Sequence, residues 1–219
     1  IRDKELKVQT FSVKDIREAM TNKPFMVFCA CAFIFHVAWQ MGWPLFFIYN
    51  VDYIKVNEMQ LGIINVASGL ASFLSYSFWS KLADKKGNSF VIIIGAVGLA
   101  SNPFFYMTIM PFSVIIIINV IVGAACAAFT LMLFCNLMEI LPESKKTIYI
   151  AMYNTFVNIS GFISPLIGVW VSSHTGIFHA MFVIGILRTI GAGLFILRWY
   201  NQKYKVNGVK FPQAHGRNC

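Results

Sequence analysis

The chain has 219 residues, a net charge of +9 and 58% hydrophobic residues against 12% charged ones. Its long uncharged runs mostly lack the polar stripe of a soluble helix and the strict alternation of a barrel strand, which excludes a large soluble core and a membrane β-barrel. The basic charge does not point to nucleic acid either, because all but one of the cations lie in the terminal segments and the short connections flanking the apolar runs.

A helix crossing roughly 30 Å of hydrocarbon needs about 20 apolar residues. Residues 1–24 are charged, with Ser12 and Asp15 spaced as a capping box ahead of Val13, Ile16 and Met20; this predicts a short helix on the cytoplasmic face, a cytoplasmic lead ended by Asn22-Lys23-Pro24. The runs that follow predict six spans near 25–49, 59–80, 89–109, 112–138, 147–171 and 177–200, a six-helix bundle over 25–200. Two long runs are divided at their turn signals, Met110-Pro111-Phe112-Ser113 and Ser172-Ser173-His174-Thr175-Gly176. Residues 201–219 are polar and are expected to form a disordered cytoplasmic tail. The first residue is Ile1 rather than Met, and we expect the chain to be a piece of a longer polypeptide.

Of 18 Lys and Arg, 16 fall in the N-terminal lead, the 81–86 and 145–146 loops and the tail, and only Lys55 lies in the opposite loops. Basic loops are retained in the cytoplasm, so both termini are expected there, in the plasma membrane. Cys29 and Cys31 are two apart and lie on different helical faces, which is no metal-ligand spacing. We expect no cofactor, no metal and no nucleic-acid partner.

Between the second and third spans stands Ser80-Lys81-Leu82-Ala83-Asp84-Lys85-Lys86-Gly87-Asn88. It resembles the loop signature G-x-L-A-D-R-x-G-R-R of the major facilitator superfamily: Asp84 and Gly87 hold their places and Lys85 matches the basic position in charge, while Ser80 replaces the leading Gly and Asn88 an Arg. Phe162-Ile163-Ser164-Pro165-Leu166-Ile167-Gly168 resembles the small-Pro-x-x-Gly pattern of that family's eleventh helix. The resemblance implies an all-α polytopic fold, one C-terminal half of a major facilitator transporter built as a 3+3 inverted repeat. It also implies an N-terminal six-helix half as partner and a gating role for Asp84, Lys85 and Gly87; the alternative is a plain basic loop with a turn glycine. Asn65-x-x-Ser68-Gly69 in the second span and Asn158-x-Ser160-Gly161 in the fifth form a weak internal echo that such a repeat would explain.

Polar residues within the spans are the candidates for a solute site. His36, Gln40, Trp43 and Phe47 share one face of the first span with Trp39 beside it, and Pro44 frees the Gln40 carbonyl, so a broken helix is expected there. The resemblance places this helix on the central cavity; the competing reading is packing. Asn65 on the second span, Asn119 on the fourth, and Asn154 and Asn158 on the fifth are further candidates, with Thr130 and Asn136 beside them. The competing role for the second and fifth spans is close packing where two halves meet. Arg188 is the one charge deep in a span and needs a carbonyl, a lipid phosphate, an acid or an anionic solute as partner. No Asp or Glu lies deep in any span, so a coupling proton would fall to His36 or to a carboxylate elsewhere.

The expected function is transport of a small solute across the bilayer by alternating access. A self-assembling six-helix channel or carrier is the alternative. An embedded enzyme is weaker, since no H-E-x-x-H, G-x-S-x-G or paired intramembrane Asp is present.

Overall fold

The structure, a computed structural model, describes residues 13–208. Its helices are α1 (Val13–Thr21), α2 (Lys23–Ile48), α3 (Glu58–Lys86), α4 (Asn88–Phe105), α5 (Phe112–Ile140), α6 (Lys146–Thr175) and α7 (Ile177–Gly208). A π-helical turn, Tyr49–Tyr53, continues α2, and a 3₁₀ turn, Glu143–Lys145, precedes α6. Six of these helices are long and apolar enough to cross a membrane, so the chain is an integral membrane protein.

Local chemistry sets the ends. The Phe25 N–H donates to Asn22 Oδ1 at 3.2 Å, and Pro24 occupies the first turn of α2, where its missing N–H costs nothing. At the start of α3, Asn57 and Gln60 cap each other reciprocally at 2.9 Å, a box not anticipated from the sequence. Gly87 ends α3 at φ 88°, a conformation that side chains resist, and so permits the tight α3–α4 turn.

Three boundaries differ from expectation. The expected break at Pro44 does not occur: α2 passes through it, and the irregular backbone comes later, in the π turn. The expected third span, to 109, ends at Phe105, because Tyr106 turns into an aromatic cluster with Phe46 and Tyr49, at ring separations of 4.7 and 4.9 Å. The last helix runs beyond 200 to Gly208, where a disordered tail was expected; the rest of that tail, like Ser12 of the capping box, lies outside the described residues.

The helices pack in the order α3, α5, α4, α7, α2, α6, each against the next. This order maps onto itself when α2, α3 and α4 are exchanged with α5, α6 and α7. Close contacts follow the same exchange. Gly95 of α4 lies against the Phe129 backbone of α5, and Gly191 of α7 lies against Phe35 of α2. The two phenylalanine rings meet at a tilt of 38° with centroids 4.5 Å apart. Gly95 to Gly191 and Phe35 to Phe129 span nearly the same sequence interval as Asn65 to Asn158, the echo noted above. Paired helices run in opposite directions, as a 3+3 inverted repeat requires.

Candidate functional site

Lys81, Lys85 and Lys86 in the last turns of α3, Lys145 and Lys146 at the start of α6, and Lys23 at the start of α2 mark one end of the bundle as basic. Near that end α2 and α5 bury Phe28, Ala32 and Phe35 together with Ala128, Phe129 and Met132. Towards the opposite end Trp43 and Phe47 of α2, and Ile117, Val120 and Ile121 of α5, are exposed. The two central helices therefore close at the basic end and leave surface open at the other.

The residues at the closure are aromatic. Phe129 lies 5.9 Å from the His36 ring and 5.8 Å from Trp39, and Trp39 meets Trp43 edge-on at 5.9 Å. His36 is buried, and its Nδ1 pairs with the Ala32 carbonyl at 2.9 Å. If Nδ1 carries the proton, as pairing with a carbonyl demands, Nε2 is the acceptor and the group able to take a further proton. Gln40 is also buried and accepts a 2.6 Å hydrogen bond from the Ser160 hydroxyl of α6 at Oε1, with Gly161 alongside. The expected face thus divides: Gln40 turns to α6, His36 and Trp39 to α5, and Trp43 and Phe47 to the open surface. Phe129 was missed because a phenylalanine in an apolar run carries no signal of its own.

Four asparagines were candidates on the other spans, and they separate. Asn119 points at α4, donating to the Tyr106 hydroxyl and the Ile115 carbonyl, both at 2.8 Å. Asn65 of α3 and Asn154 and Asn158 of α6 are exposed and make no hydrogen bond among the described residues. Asn158 and Thr155 line a shallow recess with Ile159, Phe162 and Ile163. Thr130 lines another with Tyr76, Ser77, Ser80 and Leu131, between α3 and α5.

At the basic end Asp84 and Lys85 are exposed, and Asp84 makes no hydrogen bond among the described residues. Beside them lies a polar network that sequence reading did not assemble. Asn88 donates to Glu139 Oε1 at 2.8 Å, Asn136 donates to the Ser89 hydroxyl at 3.0 Å, and Arg198 donates to Asn136 Oδ1 at 3.0 Å while covering the Phe28 ring. The signal was available: Asn136 and Glu139 are one turn apart on α5 and share a face. Lys145 ties α1 to this end through Asp15 (2.9 Å) and Glu18 (2.6 Å). Glu18 and then Asp15 raise its pKa above the ordinary lysine value.

Arg188 is fully buried, and its three hydrogen bonds go to carbonyls of Ala38, Trp39 and Leu99 at 3.2, 2.7 and 3.0 Å. Of the partners open to it from sequence, carbonyls hold it, and in this conformation no solute reaches it.

Two comparisons with known proteins bear on this arrangement. The family model described as Major Facilitator Superfamily matches residues 28–216. A protein of Agrobacterium vitis named "Putative tartrate transporter" is 27% identical over 137 residues, 60% of this chain and 31% of the relative. The match therefore spans less than a third of that relative's length.

Proposed function

The chain belongs to the Major Facilitator Superfamily, and on that premise we propose that it is the C-terminal six-helix half of a secondary transporter. It moves a small solute by rocking against an N-terminal six-helix half, with both termini cytoplasmic in the plasma membrane. One observation carries this reading. Asn65, Asn154 and Asn158 stand exposed on α3 and α6, two helices long and apolar enough to cross a membrane, without partners among the described residues. An amide left unpaired in hydrocarbon costs roughly 2–7 kcal/mol, so these faces call for a protein or aqueous neighbour rather than lipid. A second bundle supplies both: packing along the flanking helices and a water-filled cavity between α2 and α5.

The α2–α5 face offers the solute Trp39 and Trp43, and His36 and Gln40, buried in this conformation, lie behind them. Asp84, Lys85 and Gly87 bias the cytoplasmic gate, and His36 is this half's candidate for a coupling proton. Tartrate, from the name of the bacterial relative, is the first solute to try. With Arg188 committed to carbonyls, the charge of such an anion is met chiefly by the other half.

The test is uptake by proteoliposomes holding the full-length protein, over a panel of organic acids, sugars and amino acids, with and without a pH gradient. Saturable uptake of one class, raised by the gradient, is expected. Leakage of every panel member without saturation contradicts the proposal and favours a self-assembled pore.

A further inference from the structure

Proline at position 103 of α4 has no N–H, so the Leu99 carbonyl one turn earlier loses its helical partner. Arg188 Nη1 donates to that carbonyl at 3.0 Å. The same guanidinium donates through Nε and Nη2 to the Ala38 and Trp39 carbonyls of α2 and lies 5.3 Å from the centre of the Phe46 ring. Room for it is made by Gly42, where an added Cβ would collide with Nη2. Three separate sequence features, a proline on α4, a glycine on α2 and an arginine on α7, thus converge on one buried cation that forms no ion pair among the described residues.

We infer that Arg188 is a positioning residue: it locks the α2 segment carrying His36, Trp39, Gln40 and Trp43 to α4 and α7, using the carbonyl that Pro103 leaves free. Placing a charge at this depth is costly unless its donors are satisfied, and carbonyl groups satisfy them without introducing a titratable partner. The planar fork matters, because an ammonium on a flexible stem cannot hold three carbonyls on two helices at once. The inference rests on the reading that α2 carries solute-facing residues, but the lock itself is measurable without any solute.

The experiment is amide hydrogen exchange on the purified full-length protein in detergent, comparing 36–46 of α2 and 99–105 of α4 with 65–75 of α3. Arg188→Met is expected to speed exchange by about tenfold or more in the first two segments and leave the third unchanged. Arg188→Lys should behave like Arg188→Met in 36–46. Adding Pro103→Ala to Arg188→Met should restore protection in 99–105, because the new N–H at 103 takes the Leu99 carbonyl. Exchange that rises equally in all three segments, or no recovery on adding Pro103→Ala, would overturn the inference. If Arg188→Met does not accumulate, Gly42→Ala displaces the guanidinium without removing it; faster exchange in 36–46 supports the lock, and an unchanged rate refutes it. Absent transport with a localised exchange pattern would refute the functional reading and leave the lock standing.

Discussion

The Gln40–Ser160 hydrogen bond joins the helix that carries the candidate site to its flanking neighbour, and it lies where water is scarce. Removing only the hydroxyl strands a buried acceptor, which costs about 1–3 kcal/mol, whereas removing both polar groups costs far less. Ser160→Ala should therefore lower the unfolding temperature in detergent, and Gln40→Leu with Ser160→Ala should recover much of the loss. For function, Gln40→Ala should change the apparent affinity for the transported solute; an unaltered affinity assigns this residue to packing. His36→Gln should abolish stimulation by a pH gradient while leaving solute counterflow in place. Retained stimulation excludes His36 from proton coupling. These residues were legible as polar groups on an apolar helix, because 3.6 residues per turn places 36, 40, 43 and 47 together. Their division among α5, α6 and open surface was not legible, since it depends on which neighbour each arc of the helix meets. The same holds for Asn119, whose amide reads alike whether it faces a cavity or the Tyr106 hydroxyl.

Among the elements, the flanking helices differ most from the central ones. α3 buries only Ile64 and Ala83, and α6 is little better covered, while α2 and α5 each bury more residues than any other helix. The flanks hold on by close backbone approach: a Cβ at Gly168 would collide with the Met41 carbonyl of α2, and one at Gly123 of α5 with the Ser68 carbonyl of α3. Small residues at helix crossings are how membrane helices gain contact when both faces are equally apolar. Gly168→Leu should force α2 and α6 apart, at a cost of about 1–3 kcal/mol or more, visible as earlier thermal unfolding in detergent. Substitution at Gly193, which meets nothing within 4 Å, is the matched control and should leave stability unchanged.

The clasp of α1 is a smaller device. Because the Lys145 pKa is raised in the folded state, its contribution is complete below the ordinary lysine value and fades only as pH climbs through the raised one. Protease cutting within α1 should thus be insensitive to pH from 7 to about 10 and should rise in strong alkali. Lys145→Ala should make α1 labile already at pH 7; equal cutting of both proteins denies the clasp a role. The stop at Asn22-Lys23-Pro24 and the turn at Gly87 were readable in the sequence, for helix stops and turns are local chemistry; that Asn22 also caps α2 was not. The ion pairs between α1 and the 3₁₀ turn were not, because their partners lie more than 120 residues apart.

For the whole molecule, the exchange of α2–α4 with α5–α7 is the organising relation. It explains why one sequence echo, Asn65 with Asn158, sits on two helices that do not pack extensively against each other: they occupy equivalent places on opposite flanks. It also places Phe35 and Phe129, each seated on a glycine of the helix behind, at the centre of the bundle. Count and order of the spans followed from hydropathy, since lipid permits so few backbone arrangements. Packing order did not, because apolar surfaces carry little information about which neighbour they meet. On the proposed reading, Asp84→Ala should alter transport rate with normal surface abundance, since its carboxylate is exposed at the basic end. Unchanged kinetics remove Asp84 from the gate.

The account depends above all on a bundle whose basic connections share one side of the membrane. Single cysteines at Lys55, Lys85 and Lys146, in a functional background without other reactive thiols, can be probed in intact cells with a maleimide that does not cross the bilayer. Labelling of position 55 from outside, with positions 85 and 146 labelled only after the membrane is opened, is the predicted result. Labelling of 85 or 146 in sealed cells contradicts it.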